Sequence, residues 1–230
     1  MTLGANQPYY LPYLGFFQLI NSVDKFLLVD DFQYIRHGWV NRNRILSSGN
    51  IIYNVIPLIH ASQNRNINQL SCVNSLEPQL RSIKGNYRKA PFFHKVYPLV
   101  EETLNYPDRR LNYFLFNSLQ VVCGYLGIST PLILNSERND ETSLRGEERV
   151  IHLCKSMGAD KYINAFGGQE LYSKDRFARD GIELRFIKPQ LPPYKQLRTQ
   201  EFVPALSILD VIMNVPEDEI RDMLNCYTLI

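Results

Sequence analysis

Apolar positions along this chain follow two rhythms: short extended runs, and stretches that repeat every three to four residues. Thr2 to Asn6 reads as a short strand, and Pro8, Pro12 and Gly15 fix a stiff turn behind it. A helix follows at about Gly15 to Ser22, with Phe16, Phe17, Leu19 and Ile20 on its apolar face. Phe26 to Asp30 returns as a buried strand that delivers Asp30, Asp31 and Gln33 at its carboxyl end. Trp39 to Leu46 is extended and turned by Ser47, Ser48 and Gly49. Ile51 to Ile59 pairs with it as a hairpin or as the next sheet strand, and Pro57 marks an edge or a strand end.

From about Leu76 to Gly127 the pattern is helical. One helix carries Leu80, Ile83, Lys84 and Tyr87 and ends by Pro91; Phe92 to Leu104 and Leu111 to Leu126 supply two more. The last of these is apolar almost all round, which suits an interior position or, failing that, a homodimer contact. Alternation then resumes. Pro131 to Leu134, Lys161 to Asn164 and Ile182 to Ile187 read as strands. Ser143 to Met157 reads as a helix closed by Gly158, with shorter helices at Ser173 to Arg179, Leu206 to Met213 and Glu217 to Leu224. Strands separated by helices predict an α/β fold: a mainly parallel, Rossmann-like sheet flanked by helices, with a helical insertion in mid-chain. The expected organisation is a single domain over residues 1–230, with residues 76–127 as a helical subregion within it.

Composition narrows the partners. The chain has 230 residues, is 45% hydrophobic and carries a net charge of only +2, so bulk electrostatics argue for neither a nucleic-acid nor a membrane partner. No apolar run is long enough to span a bilayer, and MTLGANQP does not read as a secretory signal, so a cytoplasmic location is expected. Cys72, Cys123, Cys154 and Cys226 are far apart, and the four histidines share no ligand spacing, so no metal and no cofactor is expected. Cys154 falls on an apolar helix face with Val150, Leu153 and Met157 and reads as a small buried hydrophobe.

Chemistry-bearing side chains are densest between Gln7 and Ile45. Gln7 can donate and accept, and Tyr10 offers a flat surface with a polar end. Asp30 and Asp31 follow a strand, where α/β sheets bind small molecules, and adjacent acids on a strand point to opposite faces. In Trp39-Val40-Asn41-Arg42-Asn43-Arg44, an extended chain puts two amides on one face and two guanidiniums on the other. Guanidiniums so spaced can clamp a diphosphate or a carboxylate. Thr142 and Ser143 open a helix, where they serve as caps or leave amides for an anion. Gly167 and Gly168 follow a strand and let the backbone approach a ligand or turn tightly. Tyr194 and Lys195, after the Leu191-Pro192-Pro193 segment, either cover a cleft or form an exposed loop.

Taken in order, these segments resemble the WbqC-like protein family. The carrying residues are QPYYLPYLGFF (Gln7 to Phe17), VDDFQY (Val29 to Tyr34) and W-V-NRNRI (Trp39 to Ile45). NYRKAPFF (Asn86 to Phe93), AFGGQELY (Ala165 to Tyr172) and SILDVIMN (Ser207 to Asn214) extend the resemblance over nearly the whole chain. It departs at Gln169, where a lysine is expected. The resemblance implies a place in bacterial O-antigen and surface-polysaccharide biosynthesis. It also implies a transferase that moves an acyl or aminoacyl group, such as glycyl, onto the amine of a nucleotide-linked amino sugar. The expected partners are therefore a nucleotide-diphosphate sugar and an acyl or aminoacyl donor. In that reading Asp30, Asp31 or His37 is the general base, and Asn41 and Asn43 bind a developing oxyanion. Arg42 and Arg44 hold a diphosphate or carboxylate, while Tyr10 or Trp39 stacks on a ring. Gln7, Ser143, Gly167 and Gly168 complete the candidate binding set. A fainter similarity joins the strand, proline turn and helix to HIGH-motif nucleotidyltransferases, which use ATP or CTP. Their paired histidines are replaced here by Gln7 and Phe16-Phe17. A non-catalytic sugar-nucleotide-binding assembly protein is the third reading.

Overall fold

The computed structural model describes residues 1–138 and 143–230. Their strands, in chain order, are β1 (Thr2–Asn6), β2 (Lys25–Leu28), β3 (Arg42–Ser47), β4 (Asn50–Val55), β5 (Leu58–Ile59), β6 (Ser71–Cys72), β7 (Leu132–Leu134), β8 (Lys161–Ala165), β9 (Glu183–Pro189) and β10 (Tyr227–Leu229). The α-helices are α1 (Leu14–Asn21), α2 (Glu77–Tyr87), α3 (Phe93–Leu104), α4 (Leu111–Leu126), α5 (Gly146–Ser156), α6 (Lys174–Arg179), α7 (Ile208–Asn214) and α8 (Glu217–Met223).

Six strands form the central sheet in the order β10-β9-β8-β1-β2-β7. Five of them run parallel, and β10 closes one edge antiparallel to β9. This is the mainly parallel, helix-flanked sheet that the alternation of elements predicts. From β1 the chain builds outward through β2 to β7, then crosses back and builds the other way through β8 to β9. The direction reverses between β1 and β8, so a crevice opens outside the carboxyl ends of those two strands.

Each face of the sheet has its own apolar core. The larger one gathers α1, α2, α3, α4, α7 and α8, with Phe17, Phe26, Tyr87, Phe114 and Met213 among its buried side chains. The other packs α5 and α6 over Leu3, Leu27, Tyr162 and Leu184. Helix α4 is interior along most of its length: Leu111, Phe114, Leu115, Leu119, Val122 and Leu126 are buried within the chain's own larger core. Gln18, fully buried on α1, donates its Nε2 to the carbonyls of Gln190, Met223 and Cys226 and so ties the C-terminal segment to the core.

Several boundaries differ from the sequence expectations. The extended segment at Trp39 becomes regular only at Arg42, and its partner strand ends at Val55, before Pro57. Their hairpin is a separate two-stranded sheet rather than part of the central one. The helix expected from Ser143 starts at Gly146 with Arg145 as its N-terminal flank, so Ser143 caps nothing there. Thr142 lies outside the described residues. The edge strand β10 is too short to produce a readable alternation. Among the described residues, no helix is long and apolar enough to cross a membrane.

Candidate functional site

Two clefts lie side by side at the carboxyl ends of the parallel strands. The larger, of about 850 Å³, opens beyond β2 and β7. Its walls come from Asp31 and Phe32 after β2, Asn135 and Ser136 after β7, the loop carrying Asn64, Asn66 and Asn68, and the amino end of α5. Among the described residues, three guanidiniums line it, from Arg138, Arg145 and Arg149, against the single carboxylate of Asp31. The exposed amides of a helix start add positive potential on the same wall. Such a cleft attracts anions and offers carboxamides to hydroxyl groups.

The smaller cleft, of about 420 Å³, occupies the crevice between β1 and β8. Asn6, Gln7, Asn164, Gly167 and Gly168 line its floor and edge, and most of the remaining wall is apolar or aromatic. Ile35 and Leu171, 58% and 70% exposed, belong to that wall. Phe32 and Arg149 line both clefts. The Arg149 guanidinium sits 4.5 Å from the Phe32 ring centroid and pairs with Asp31 through its terminal nitrogen. Asp31 Oδ2 also accepts from Asn135 at 3.0 Å, whereas Asp31 Oδ1 and Arg149 Nε have no hydrogen-bond partner among the described residues.

The candidate residues drawn from the sequence separate into groups. Asp31 and Ser143 line the larger cleft; Gln7, Gly167 and Gly168 line the smaller. Asp30 points the other way, within the turn that follows β2, which ends at Leu28 and not at Asp30. It is fully buried and accepts from Asn112 Nδ2 at 2.9 Å, Ser136 N at 2.9 Å and Ser136 Oγ at 2.5 Å. Its three donors hold the turn after β7 in place, so Asp30 is a structural anchor and not a base facing solvent.

The proposed arginine-amide cluster does not converge on either cleft, and the physical reason is that its polar groups are spent within the fold. Asn43 donates Nδ2 to the carbonyls of Tyr10 and Leu11 at 3.1 and 2.9 Å. Leu11 has φ +40°, a conformation costly for a branched side chain, and Ser207 Oγ also donates to its carbonyl at 2.8 Å. Asn41 accepts from Tyr34 Oη and donates to Ile56 O. Tyr10 is 1% exposed, its hydroxyl donates to Asn54 at 2.9 Å, and burial pushes its phenol well above the ordinary range. It cannot stack on a ligand. Asn43 and Tyr10 therefore fasten the proline turn to the hairpin, and Asn41 ties Tyr34 to the end of that hairpin.

Arg42 donates to the carbonyls of Gly38 and His37 and lies 4.3 Å from the Tyr53 ring centroid. Arg44 donates to Ala205 O at 2.8 Å and lies 5.6 Å from the ring centroid of Trp39. Trp39 is exposed just before the hairpin, beside Tyr53. His37, at φ +62°, makes the turn before the hairpin; neither it nor Trp39, Arg42 or Arg44 lines a cleft. Tyr194 is not a cleft cover: its hydroxyl donates to buried Asp210 at 2.7 Å. Cys154 is fully buried, and burial pushes its thiol up to about 12, as befits a small core residue.

Sequence reasoning passed over Arg145 and Arg149 as site residues, and passed over Asn6, Asn64, Asn66, Asn68, Asn135, Asn164, Ser136 and Arg138 altogether. Only the residues Asn6 and Asn164 carried a legible signal, as polar residues closing apolar strands at the sheet's carboxyl edge. The remainder meet through folding of distant segments. Among the described residues, no group of three or more histidine, cysteine, aspartate or glutamate side chains is arranged to hold a metal ion.

The model of the WbqC-like protein family matches residues 7–222. A Mycobacterium tuberculosis protein described as "Uncharacterized protein Rv1507c" is 29% identical over 215 residues, covering 91% of each chain. No solved structure matches the chain.

Proposed function

Since the chain belongs to the WbqC-like protein family, we propose that it is a transferase of surface-polysaccharide (O-antigen) biosynthesis that acylates a nucleotide-linked amino sugar. The observation that carries this reading is the meeting of two clefts of opposite character at Arg149 and Phe32. A sugar nucleotide has that same division, with an aromatic base at one end and a polyhydroxylated, charged portion towards the other. The smaller, largely apolar cleft suits the base. The larger suits the sugar and an acyl or aminoacyl donor, with its carboxamides facing hydroxyl groups and its guanidiniums facing negative charge.

In the transfer step the sugar amine attacks the carbonyl carbon of an activated acyl donor. A C–N bond forms, the bond to the donor's leaving group breaks, and the amine loses a proton. Asp31 is the one carboxylate among the described residues lining either cleft, and it is assigned as the proton acceptor. General-base catalysis of this kind contributes about 10²–10⁴-fold. Arg149 orients Asp31 through their ion pair and keeps positive charge beside the reacting carbonyl.

The test incubates the purified chain with nucleotide-linked amino sugars and an acyl or aminoacyl thioester, and reads the acyl mass increment on the sugar amine. Turnover that falls at least tenfold in Asp31→Asn and Arg149→Met supports the assignment. Saturable sugar-nucleotide binding without transfer from any donor favours the assembly-protein reading instead. Pyrophosphate release with ATP or CTP favours nucleotidyl transfer.

A further inference from the structure

The two central strands each carry an asparagine at their carboxyl end. Asn6 closes β1 and Asn164 is the penultimate residue of β8. The strands pair in parallel with Gly4 opposite Ile163, which brings the two residues to the same edge of the sheet. Asn6 lies level with Leu28 and Asn164 with Phe186, on opposite faces, so the two residues flank the crevice from either side of that edge. Both line the smaller cleft. Each side chain accepts a hydrogen bond from the amide that follows it: Gln7 N donates to Asn6 Oδ1 at 2.8 Å, and Ala165 N donates to Asn164 Oδ1 at 2.9 Å.

These contacts fix which end of each carboxamide is spent. The oxygens turn back to the chain's own backbone, and the Nδ2 groups have no hydrogen-bond partner among the described residues. The turns account for the oxygens alone, because an aspartate would accept the same backbone amide. They leave two NH2 groups, which only donate, at the point where the sheet reverses its build. Gly168 packs against one of them: a Cβ at that position would lie 2.3 Å from Asn164 Nδ2. Arg149 lines the same cleft and supplies positive charge there.

We infer that Asn6 and Asn164 form a paired donor site for the diphosphate of a nucleotide, seated at the β1/β8 crevice with Arg149 beside it. A phosphoryl oxygen accepts without donating, which matches NH2 groups whose oxygens are already engaged. A hydroxyl would use the pair less fully, since its own proton would find no acceptor on either carboxamide. This assignment deepens the transferase reading and rests on its choice of a nucleotide-linked substrate.

The test uses Asn6→Asp and Asn164→Asp, near-isosteric changes that keep the backbone acceptor and replace the donor with negative charge. Titration with inorganic pyrophosphate at constant ionic strength should show saturable binding to the wild-type chain. Each variant should bind at least tenfold more weakly while its thermal midpoint stays within a few degrees. Unchanged pyrophosphate affinity in both variants, or no binding to the wild type, overturns the site. Should Asn164→Asp fail to fold, Asn6→Asp, at a less buried position, decides by the same criterion. The transfer assay separates the two readings. Lost pyrophosphate binding in the variants, with no acyl transfer by the wild type, keeps the diphosphate seat and removes the transferase. Transfer with an unchanged KM in both variants keeps the transferase and removes the seat.

Discussion

Asp30 and Ser136 are joined twice: the Asp30 carboxylate accepts the backbone amide of Ser136 at 2.9 Å and its hydroxyl at 2.5 Å. Residues 106 positions apart in sequence are thereby locked together, and the turn after β7 is held against the end of β2. The next residue, Asp31, faces the cleft instead. One anchors the wall and the other belongs to it.

Asp30→Ala should therefore lower stability without a comparable direct effect on binding chemistry. It strands the Nδ2 of buried Asn112, an unmet donor costing about 1–3 kcal/mol, while the amide and hydroxyl of exposed Ser136 lose their anchor but can turn to water. A loss of roughly 1–3 kcal/mol is expected from urea denaturation. A change under about 0.5 kcal/mol, the level of an ordinary surface substitution, would remove the anchoring role.

Gly168→Ala probes the crevice by crowding. The added methyl group would press on Asn164 Nδ2 and swing the carboxamide away from its position. Pyrophosphate binding should weaken several-fold. The fold should change little, because the pressure falls on a side-chain tip and Gly168 lies outside the two apolar cores.

Asp210 gives a pH signature. It is fully buried on α7 and accepts hydrogen bonds from Tyr87, Tyr194 and Gln196, yet burial, the dominant influence, raises its carboxyl above the ordinary 3.8. The folded state thus holds this proton more tightly than the unfolded chain. This group's contribution to stability is fully present below pH 3.8 and is lost as pH rises from there through its higher folded value. Asp210→Asn should remove that decline. A wild-type-minus-variant stability difference that stays flat across this window in pH-dependent urea melts would contradict the assignment.

The cysteines differ in reach. Cys72, Cys123 and Cys154 are buried, and burial pushes the thiols of Cys123 and Cys154 up to about 12. Cys226 is the partly exposed one. Iodoacetamide at pH 8 should label Cys226 alone in the native protein and all four cysteines in denaturant, read by peptide mass mapping. Rapid native labelling of Cys154 would show that its helix face is not sealed.

The order of strands and helices was legible in the sequence because each element carries its own periodicity and its own stop. Leu111–Leu126 is recognisable from its apolar residues alone, and Gly127, at φ +71°, ends it as expected. The importance of Gln7 to Ile45 was legible too, but not its meaning. Asn41, Asn43 and Tyr10 look like ligand-binding groups in a linear reading. They are hydrogen-bond fasteners: Tyr10 and Asn43 because the hairpin folds back onto the proline turn, through contacts spanning 32 to 44 residues, and Asn41 because it joins Tyr34 to Ile56. The clefts gather their walls from β1, β2, β7, β8 and α5, so no local pattern contains them. Local sequence determines which way a strand alternates and where a helix stops, since those depend on neighbouring side chains. Which polar group is left facing solvent is decided only when distant segments meet and the buried donors and acceptors find their partners.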